Sequence, residues 1–293
     1  MSQKCPACKS DNIAFELSLK DYFLSQEDFE IWSCKHCKVS FTYPFPSESE
    51  IHRYYSSENY YSHSDDKNGL IPFLYRKVKS ININTKYKQV TKGLFPGRLL
   101  DFGCGIGDFL AHAQSKGWSV QGIEPNEKAR EIASDKLKCE VFDNKGLDNF
   151  PDNHFDLITL FHVLEHVYSP DDLLSELLRI LKPDGRLILA LPNKNSFDAG
   201  FYKKYWAGWD VPRHLWHFNS ESIEHLLKYH QMEKFREVPM HWDAFYVSLL
   251  SEQYKKSALT LPKAFLRGLI SNVKASFSGQ YSSLIYFFQF KKS

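Results

Sequence analysis

The sequence predicts an α/β protein: a doubly wound, mostly parallel sheet of seven strands behind a small N-terminal module held by metal. Three observations carry this. From Gly97 onward, short apolar runs alternate with helix-patterned segments, the signature of a parallel sheet covered on both faces. A glycine-rich loop follows the first of those runs. Four of the six cysteines stand as two C-x2-C pairs near the start of the chain.

The elements follow in order. Arg98–Phe102 reads as the first strand, running into Gly103-Cys-Gly-Ile-Gly107 and a helix from Asp108. Trp118–Ile123 is the second strand, and Asn126 caps a helix through about Lys136. Cys139–Phe142 is the third, and Phe155–Phe161 the fourth. Ser169 and Pro170 open a helix to Lys182, and Pro183-Asp-Gly185 turns the chain into a fifth strand, Arg186–Leu191. Ser220–Tyr229 is a capped helix, Phe235–Met240 a strand, and Tyr281–Phe290 the last, antiparallel strand. The chain divides into a cysteine module at 1–45, a connector with cover helices at 46–95, and the main domain at 96–293. The connector carries tyrosines 54, 55, 60 and 61, then helical spacing at Phe73, Leu74, Val78, Ile81 and Ile83.

Composition narrows the function classes. With 293 residues, 43% hydrophobic and 15% aromatic, the chain can bury a sizeable core, which excludes wholesale disorder. A net charge of +2 argues against a dedicated polyanion binder. No apolar run reaches the roughly 18 residues of a membrane span, and the polar start lacks the apolar core of a signal peptide. A cytoplasmic protein is expected.

Cys5-Pro-Ala-Cys8 and Cys34-Lys-His-Cys37 are two thiolate knuckles. Together Cys5, Cys8, Cys34 and Cys37 make a closed tetrahedral zinc site, structural because no position is left for substrate. Unrelated thiols, or a redox pair, are the alternatives; nothing resembling a thioredoxin βαβ unit surrounds either pair. Residues 1–45 hold five lysines and six acids, net −1. A nucleic-acid-binding finger should be basic, so the module reads as a metal-dependent lid or docking piece.

The loop Asp101-Phe-Gly103-Cys-Gly105-Ile-Gly107 lets backbone approach a ligand closely. Its G-x-G-x-G spacing lacks the third glycine of the dinucleotide fingerprint, which would fall on Asp108. Asp101 before the loop repels a pyrophosphate and welcomes an ammonium. Glu124, at the end of the second strand, is placed to accept both hydroxyls of a ribose. An amino acid plus ribose without phosphate fits S-adenosylmethionine.

On Asp101–Gly107, Glu124, Phe155–Leu160, His162–His166 and Leu181–Arg186, residues 70–240 resemble class I S-adenosylmethionine-dependent methyltransferases, which share a Rossmann-like fold. The similarity is to the ubiquinone-biosynthesis-like branch. The zinc-binding start also resembles the sugar C-methyltransferases of deoxysugar pathways. The resemblance implies that Asp101, Gly103, Gly105 and Gly107 hold the methionine part and Glu124 the ribose. Asp143 or Asn144 would meet the adenine, with Asn144 favoured, and Phe161 would join the cofactor set.

His162-Val-Leu-Glu165-His166 matches H-x-x-E-H, also a pattern of inverted zinc proteases. That chemistry needs one helix, whereas here a strand runs straight into His162. Ligands sit at the carboxyl ends of parallel strands, so His162 faces the reacting centre and His166 orients it. Capping of a helix start by Glu165 and His166 is the plainer account. After the fifth strand, Tyr205 to Phe218 packs Trp206, Trp209, Asp210, Arg213, His214, Trp216 and His217 together. Aromatic walls with a few polar groups make a binding site: Trp209 would stack on a ring, Arg213 clamp an anion and His217 touch substrate. His214 or His217 could be a general base, with His214 preferred. The alternative is an aromatic loop packed on the cysteine module, Arg213 and Asp210 forming a plain ion pair.

From residue 251 onward seven Lys or Arg face only Glu252, so +6, around a basic helical insertion at 251–276. Leu266, Leu269, Ile270 and Val273 give it an apolar face, either packed on the domain or touching a membrane or lipid-linked acceptor. The expected activity is S-adenosylmethionine-dependent methylation of a small-molecule or glycan acceptor, at a hydroxyl or carbon of a sugar or polysaccharide precursor, with a histidine base. On charge, nucleic acid is not expected as a partner. A ribosomal RNA base methyltransferase and a non-catalytic scaffold are the alternatives.

Overall fold

A computed structural model describes residues 4–55 and 82–291. Tyr60 and Tyr61, and the helical spacing at Phe73, Leu74, Val78 and Ile81, lie outside the described residues.

The main sheet has six strands. β4 (Arg98–Phe102), β5 (Ser119–Ile123), β6 (Phe155–Phe161) and β7 (Leu181–Pro192) run parallel, and β10 (Ser283–Phe290) inserts antiparallel between β7 and β9 (Met232–Pro239), giving the order 5-4-6-7-10-9. β4, β6 and β7 are buried on both faces, as their unbroken apolar runs require.

The expected seventh strand is reduced to a single bridge between Ile123 and Phe142. Backbone groups that would extend the ladder are taken by side chains instead: Val141 N–H donates to Ser134 Oγ, and Gln121 Nε2 donates to the Glu140 carbonyl. Asp143 then accepts from Lys145 N–H and opens a 3-10 turn at Asn144–Asn149. The turn Pro183-Asp-Gly185 lies within β7 as an insertion: Phe155 pairs with Leu181, whereas Leu157 pairs with Arg186.

Helices cover the faces: α1 at residues 82–90, α2 (Asp108–Gln114), α3 (Glu127–Leu137), α4 (Pro170–Ile180), α5 (Phe197–Tyr202) and α6 (Ser220–Tyr229). Their starts follow the sequence signals. Asn126 Oδ1 accepts from Ala129 N–H, Pro170 occupies the first turn of α4, and Asn219 with Ser222 closes a reciprocal cap. The C-terminal insertion is two helices, α7 (Asp243–Tyr254) and α8 (Thr260–Ser278).

The cysteine module builds an antiparallel sheet from β1 (Ile13–Lys20), β2 (Asp28–Cys34) and β3 (Ser40–Tyr43). Its fourth strand, β8 (Trp216–His217), comes from the loop after β7. Cys5, Cys34, Val39 and Phe41 join one buried cluster with Trp216, Phe218 and Leu164. The module shares its core with the main domain.

Candidate functional site

The loop between β4 and α2 has the conformation its glycines allow. Gly103, Gly105 and Gly107 have φ of +78°, +54° and +76°, a region side chains rarely adopt. At Gly103 an added Cβ would collide with Val163; at Gly105 it would stand in open space. That open cradle is where a ligand fits against bare backbone.

Two carboxylates flank it. Asp101 is buried and its Oδ1 accepts from Thr159 Oγ1 at 2.6 Å. Burial drives its carboxyl up to about 7, although the Thr159 hydroxyl and Lys86 pull the other way. Glu124 folds back under the loop, accepting from Gly105 N–H at 2.8 Å and Asn126 N–H at 2.9 Å. One carboxylate for an ammonium, one for a diol and a glycine cradle between them fit S-adenosylmethionine. Asn144 is exposed at the start of the 3-10 turn after the Phe142 bridge. Phe161 packs edge-on against Phe109, and Lys86 Nζ lies 4.0 Å from its ring centre.

Lys86, on α1, gave no signal in the sequence. Burial lowers its pKa, opposed by Asp243 and Asp101. Asp243, at the start of α7, was equally invisible, because its role depends on a residue 81 positions earlier.

That residue is His162. It leaves β6 in a left-handed conformation, φ 56°, and swings outward with its side chain one-third exposed. Nε2 lies 3.2 Å from Asp243 and Nδ1 3.5 Å from Glu165. Burial disfavours the charged ring, but these two carboxylates override it and push His162 up to about 9. The ring is therefore held largely as the imidazolium at neutral pH and must lose that proton before it can act as a base.

Behind it lies a tight polar cluster. Glu165 and His166 sit on a 3-10 turn, Leu164–His166. His166 Nδ1 lies 2.9 Å from the Arg213 carbonyl and 3.0 Å from the Tyr55 hydroxyl. Burial and neighbouring His214 push it down to about 4, which leaves it neutral. His214 packs edge-on against His166, with centroids 4.6 Å apart, and its Nε2 is 4.0 Å from Glu165. Leu215 N–H donates to the Glu165 carbonyl at 2.8 Å, fastening the two segments together. The three side chains named from sequence for chemistry, His162, His166 and His214, thus converge around Glu165.

The residues named for substrate contact do not reach that mouth. Arg213 is 2% exposed. It donates to Asp210 at 2.6 and 3.0 Å, to Asp21 at 3.2 Å and to the Tyr54 carbonyl at 3.0 Å, with Phe23 against its face. A guanidinium so occupied cannot clamp an acceptor; it ties the cysteine module to the domain. Thr42 donates its hydroxyl hydrogen to the His214 carbonyl at 2.6 Å, so His217 Nε2–H donates to Thr42 Oγ1 at 3.0 Å. Trp209 is buried against His217 and donates Nε1–H to the Lys203 carbonyl. All three residues build the seam between module and domain, which corrects the substrate-contact expectation.

The four cysteines meet as a set. Cys5 and Cys37 sulfurs are 3.7 Å apart, Cys8 and Cys34 3.5 Å, and all four lie within 4.8 Å of one another. Tetrahedral zinc with ~2.3 Å bonds spaces its sulfurs by roughly 3.8 Å, so the set fits that ion.

A methyltransferase-domain family matches residues 82–234, more than half of the chain. This chain belongs to that family, the class I S-adenosylmethionine-dependent methyltransferases. It is similar to a ubiquinone/menaquinone biosynthesis C-methyltransferase of Shewanella piezotolerans, 31% identical over 41% of this chain and 54% of the relative. A ubiquinone biosynthesis O-methyltransferase of Actinobacillus pleuropneumoniae is 34% identical over 36% and 50%. A demethylmenaquinone methyltransferase of a Geobacillus species is 28% identical over 54% and 69%. The chain spans about half the length of the first two of these relatives. Among solved structures, phosphoethanolamine N-methyltransferase 2 of Haemonchus contortus with S-adenosyl-L-methionine matches 73% of this chain and 53% of its own, at 18% identity and TM-score 0.50. A geranyl diphosphate methyltransferase with its substrate and sinefungin matches 73% and 79%, at 14% and 0.50. These likenesses support the fold.

Proposed function

We propose that the protein methylates a small-molecule acceptor, a hydroxyl or carbon of a sugar or polysaccharide precursor, using S-adenosylmethionine. The observation that carries this is His162 standing at the carboxyl end of β6, next to the strand that delivers Asp101 and its glycine cradle, with carboxylates on both ring nitrogens. When bound, S-adenosylmethionine supplies an electrophilic methyl group on a sulfonium sulfur, which keeps the bonding pair as the methyl leaves. Asp101 receives the ammonium, Glu124 the ribose hydroxyls, and Gly105 leaves room for both. His162 in its neutral form, which its carboxylate neighbours make available toward alkaline pH, would take the acceptor's proton, and Asp243 and Glu165 would stabilise the imidazolium. Alignment of acceptor and methyl in this floor supplies much of the acceleration. Structural zinc would be held by Cys5, Cys8, Cys34 and Cys37, fixing the edge of the sheet that β8 completes.

The C-terminal insertion supports contact with a membrane or a lipid-linked acceptor. α8 buries its small residues, Ala264, Gly268, Ser271 and Ala275, against its neighbours. Leu261, Phe265, Leu269, Val273 and Phe277, every fourth residue, are instead 45–88% exposed. Of the two readings open to the apolar face, packed on the domain or turned outward, Leu266, Leu269 and Val273 take the second, beside Lys263, and no acid follows Glu252 in the chain. No helix among the described residues is long and apolar enough to cross a membrane.

The test is transfer of labelled methyl from S-adenosylmethionine to nucleotide sugars, polysaccharide precursors and, as the competing class, quinols. His162→Ala should lose turnover while keeping affinity for S-adenosylhomocysteine. Turnover on quinols alone would overturn the sugar assignment, and an unchanged His162→Ala would overturn the base.

A further inference from the structure

Among the described residues, Glu165 is the carboxylate whose two oxygens are both buried without a hydrogen bond. It is 1% exposed, and neither carboxylate oxygen receives a hydrogen bond. A buried carboxylate without donors is costly. Its nearest nitrogens, His162 Nδ1 at 3.5 Å and His214 Nε2 at 4.0 Å, are beyond hydrogen-bonding distance. The His162 ring, which Glu165 and Asp243 hold charged, answers this carboxylate on one side at ion-pair distance; its inner side faces His166 and His214.

The two inner histidines are oriented for the task. His166 Nδ1 faces the Arg213 carbonyl at 2.9 Å, and His214 Nδ1 faces the Gly208 carbonyl at 3.0 Å. A carbonyl can only accept, so both Nδ1 atoms carry hydrogen, which leaves Nε2 as the ligand atom of each ring. Anchoring of one ring N–H on a backbone carbonyl is how metal-bound histidines are fixed in tautomer and orientation. One ring nitrogen from each of His166 and His214 and one Glu165 oxygen lie within 4.8 Å of one another. The supports are rigid. Leu215 N–H bonds the Glu165 carbonyl, and Arg213, whose carbonyl holds His166, is itself locked to Asp21 and Asp210.

We propose that Glu165, His166 and His214 bind one divalent first-row transition cation, separate from the four-cysteine site. Two imidazoles and one carboxylate form a three-ligand set that leaves positions open. The proposal deepens the functional reading and rests on it in one respect: an acceptor's oxygen pair would have to reach those open positions. The cation would hold the acceptor there and acidify its hydroxyl, while His162, nearer the mouth, takes the proton. A hydroxyl acceptor with a neighbouring oxygen is the substrate class that such a centre favours.

The probe is Mn2+, a harder ion that a closed four-thiolate site does not favour. Zinc-loaded full-length protein is titrated while the paramagnetic resonance of free Mn2+ is followed. The expected result is loss of the free signal to one ion per chain, weakened by roughly tenfold or more in Glu165→Gln and in His214→Ala. Glu140→Gln, an exposed carboxylate outside the cluster, should bind like wild type. An undiminished free signal at millimolar Mn2+ overturns the proposal, as does binding that neither cluster variant changes. Calorimetry with S-adenosylhomocysteine on the same samples separates the two claims: its failure would count against the methyltransferase reading and leave the Mn2+ result standing.

Discussion

Arg213→Met is the most informative substitution in the chain, because two accounts of that arginine predict opposite results. As an acceptor clamp its loss would raise KM and leave stability alone. As built, Arg213 is 2% exposed and joined to Asp21, whose side chain is fully buried, and to Asp210. Its removal strands two carboxylates, and Asp21 must still organise the turn through Phe23, Leu24 and Ser25 N–H groups. Breaking a buried pair by deleting one partner costs roughly 3–5 kcal/mol. For a protein of this size each kcal/mol lowers the melting temperature by about 2–4 °C, so a fall on the order of 10 °C follows. Arg213→Lys should rescue little, because an ammonium cannot span Asp21, Asp210 and the Tyr54 carbonyl together. The assay is thermal unfolding followed by circular dichroism, with KM measured well below the transition. A melting temperature within about 1 °C of wild type, together with a raised KM, would refute the reasoning and return Arg213 to the acceptor.

Three further outcomes are expected. Burial holds the Asp101 carboxyl up at about 7, and only its ionised form attracts an ammonium. Affinity for S-adenosylhomocysteine should therefore weaken as pH falls below 7, up to about tenfold per unit, and calorimetry from pH 5.5 to 8.5, spanning about three units, reads it. A flat profile would sink the assignment. Gly103→Ala drives a Cβ into Val163 at a left-handed φ; loss of cofactor affinity should exceed the loss of stability, as paired binding and unfolding curves would show. Cys8→Ser should release about one zinc per chain by metal analysis and lower the melting temperature, since zinc binding is folding energy in such modules. Unchanged metal content would contradict the four-cysteine site.

What could be read from the sequence was local. Asp101–Gly107, Glu124, the strand ending at Phe161 and the cysteine pairs each announce themselves within a few positions, because strand period, glycine spacing and knuckle geometry are short-range properties. What escaped was set at a distance. Arg213 meets Asp21 across 192 positions, His162 meets Asp243 across 81, and Lys86 reaches Phe161 across 75. An arginine among tryptophans looks the same in sequence whether it lines a cleft or closes a seam; only the partner decides. The missing strand at Cys139–Phe142 has the same origin, since Ser134 and Gln121 capture backbone groups that the apolar pattern assigned to a ladder. Apolar periodicity predicts the α8 helix without saying which side the small residues choose, so its face stayed open between domain and solvent.

The most direct test of the central claim is calorimetric titration of zinc-loaded protein with S-adenosylhomocysteine, beside Asp101→Ala. The account predicts one site per chain in the wild type and no measurable site in the variant. No heat from the wild type at millimolar ligand would contradict it: the fold would then serve as a scaffold, and the histidines around Glu165 would lose their claim to methyl transfer.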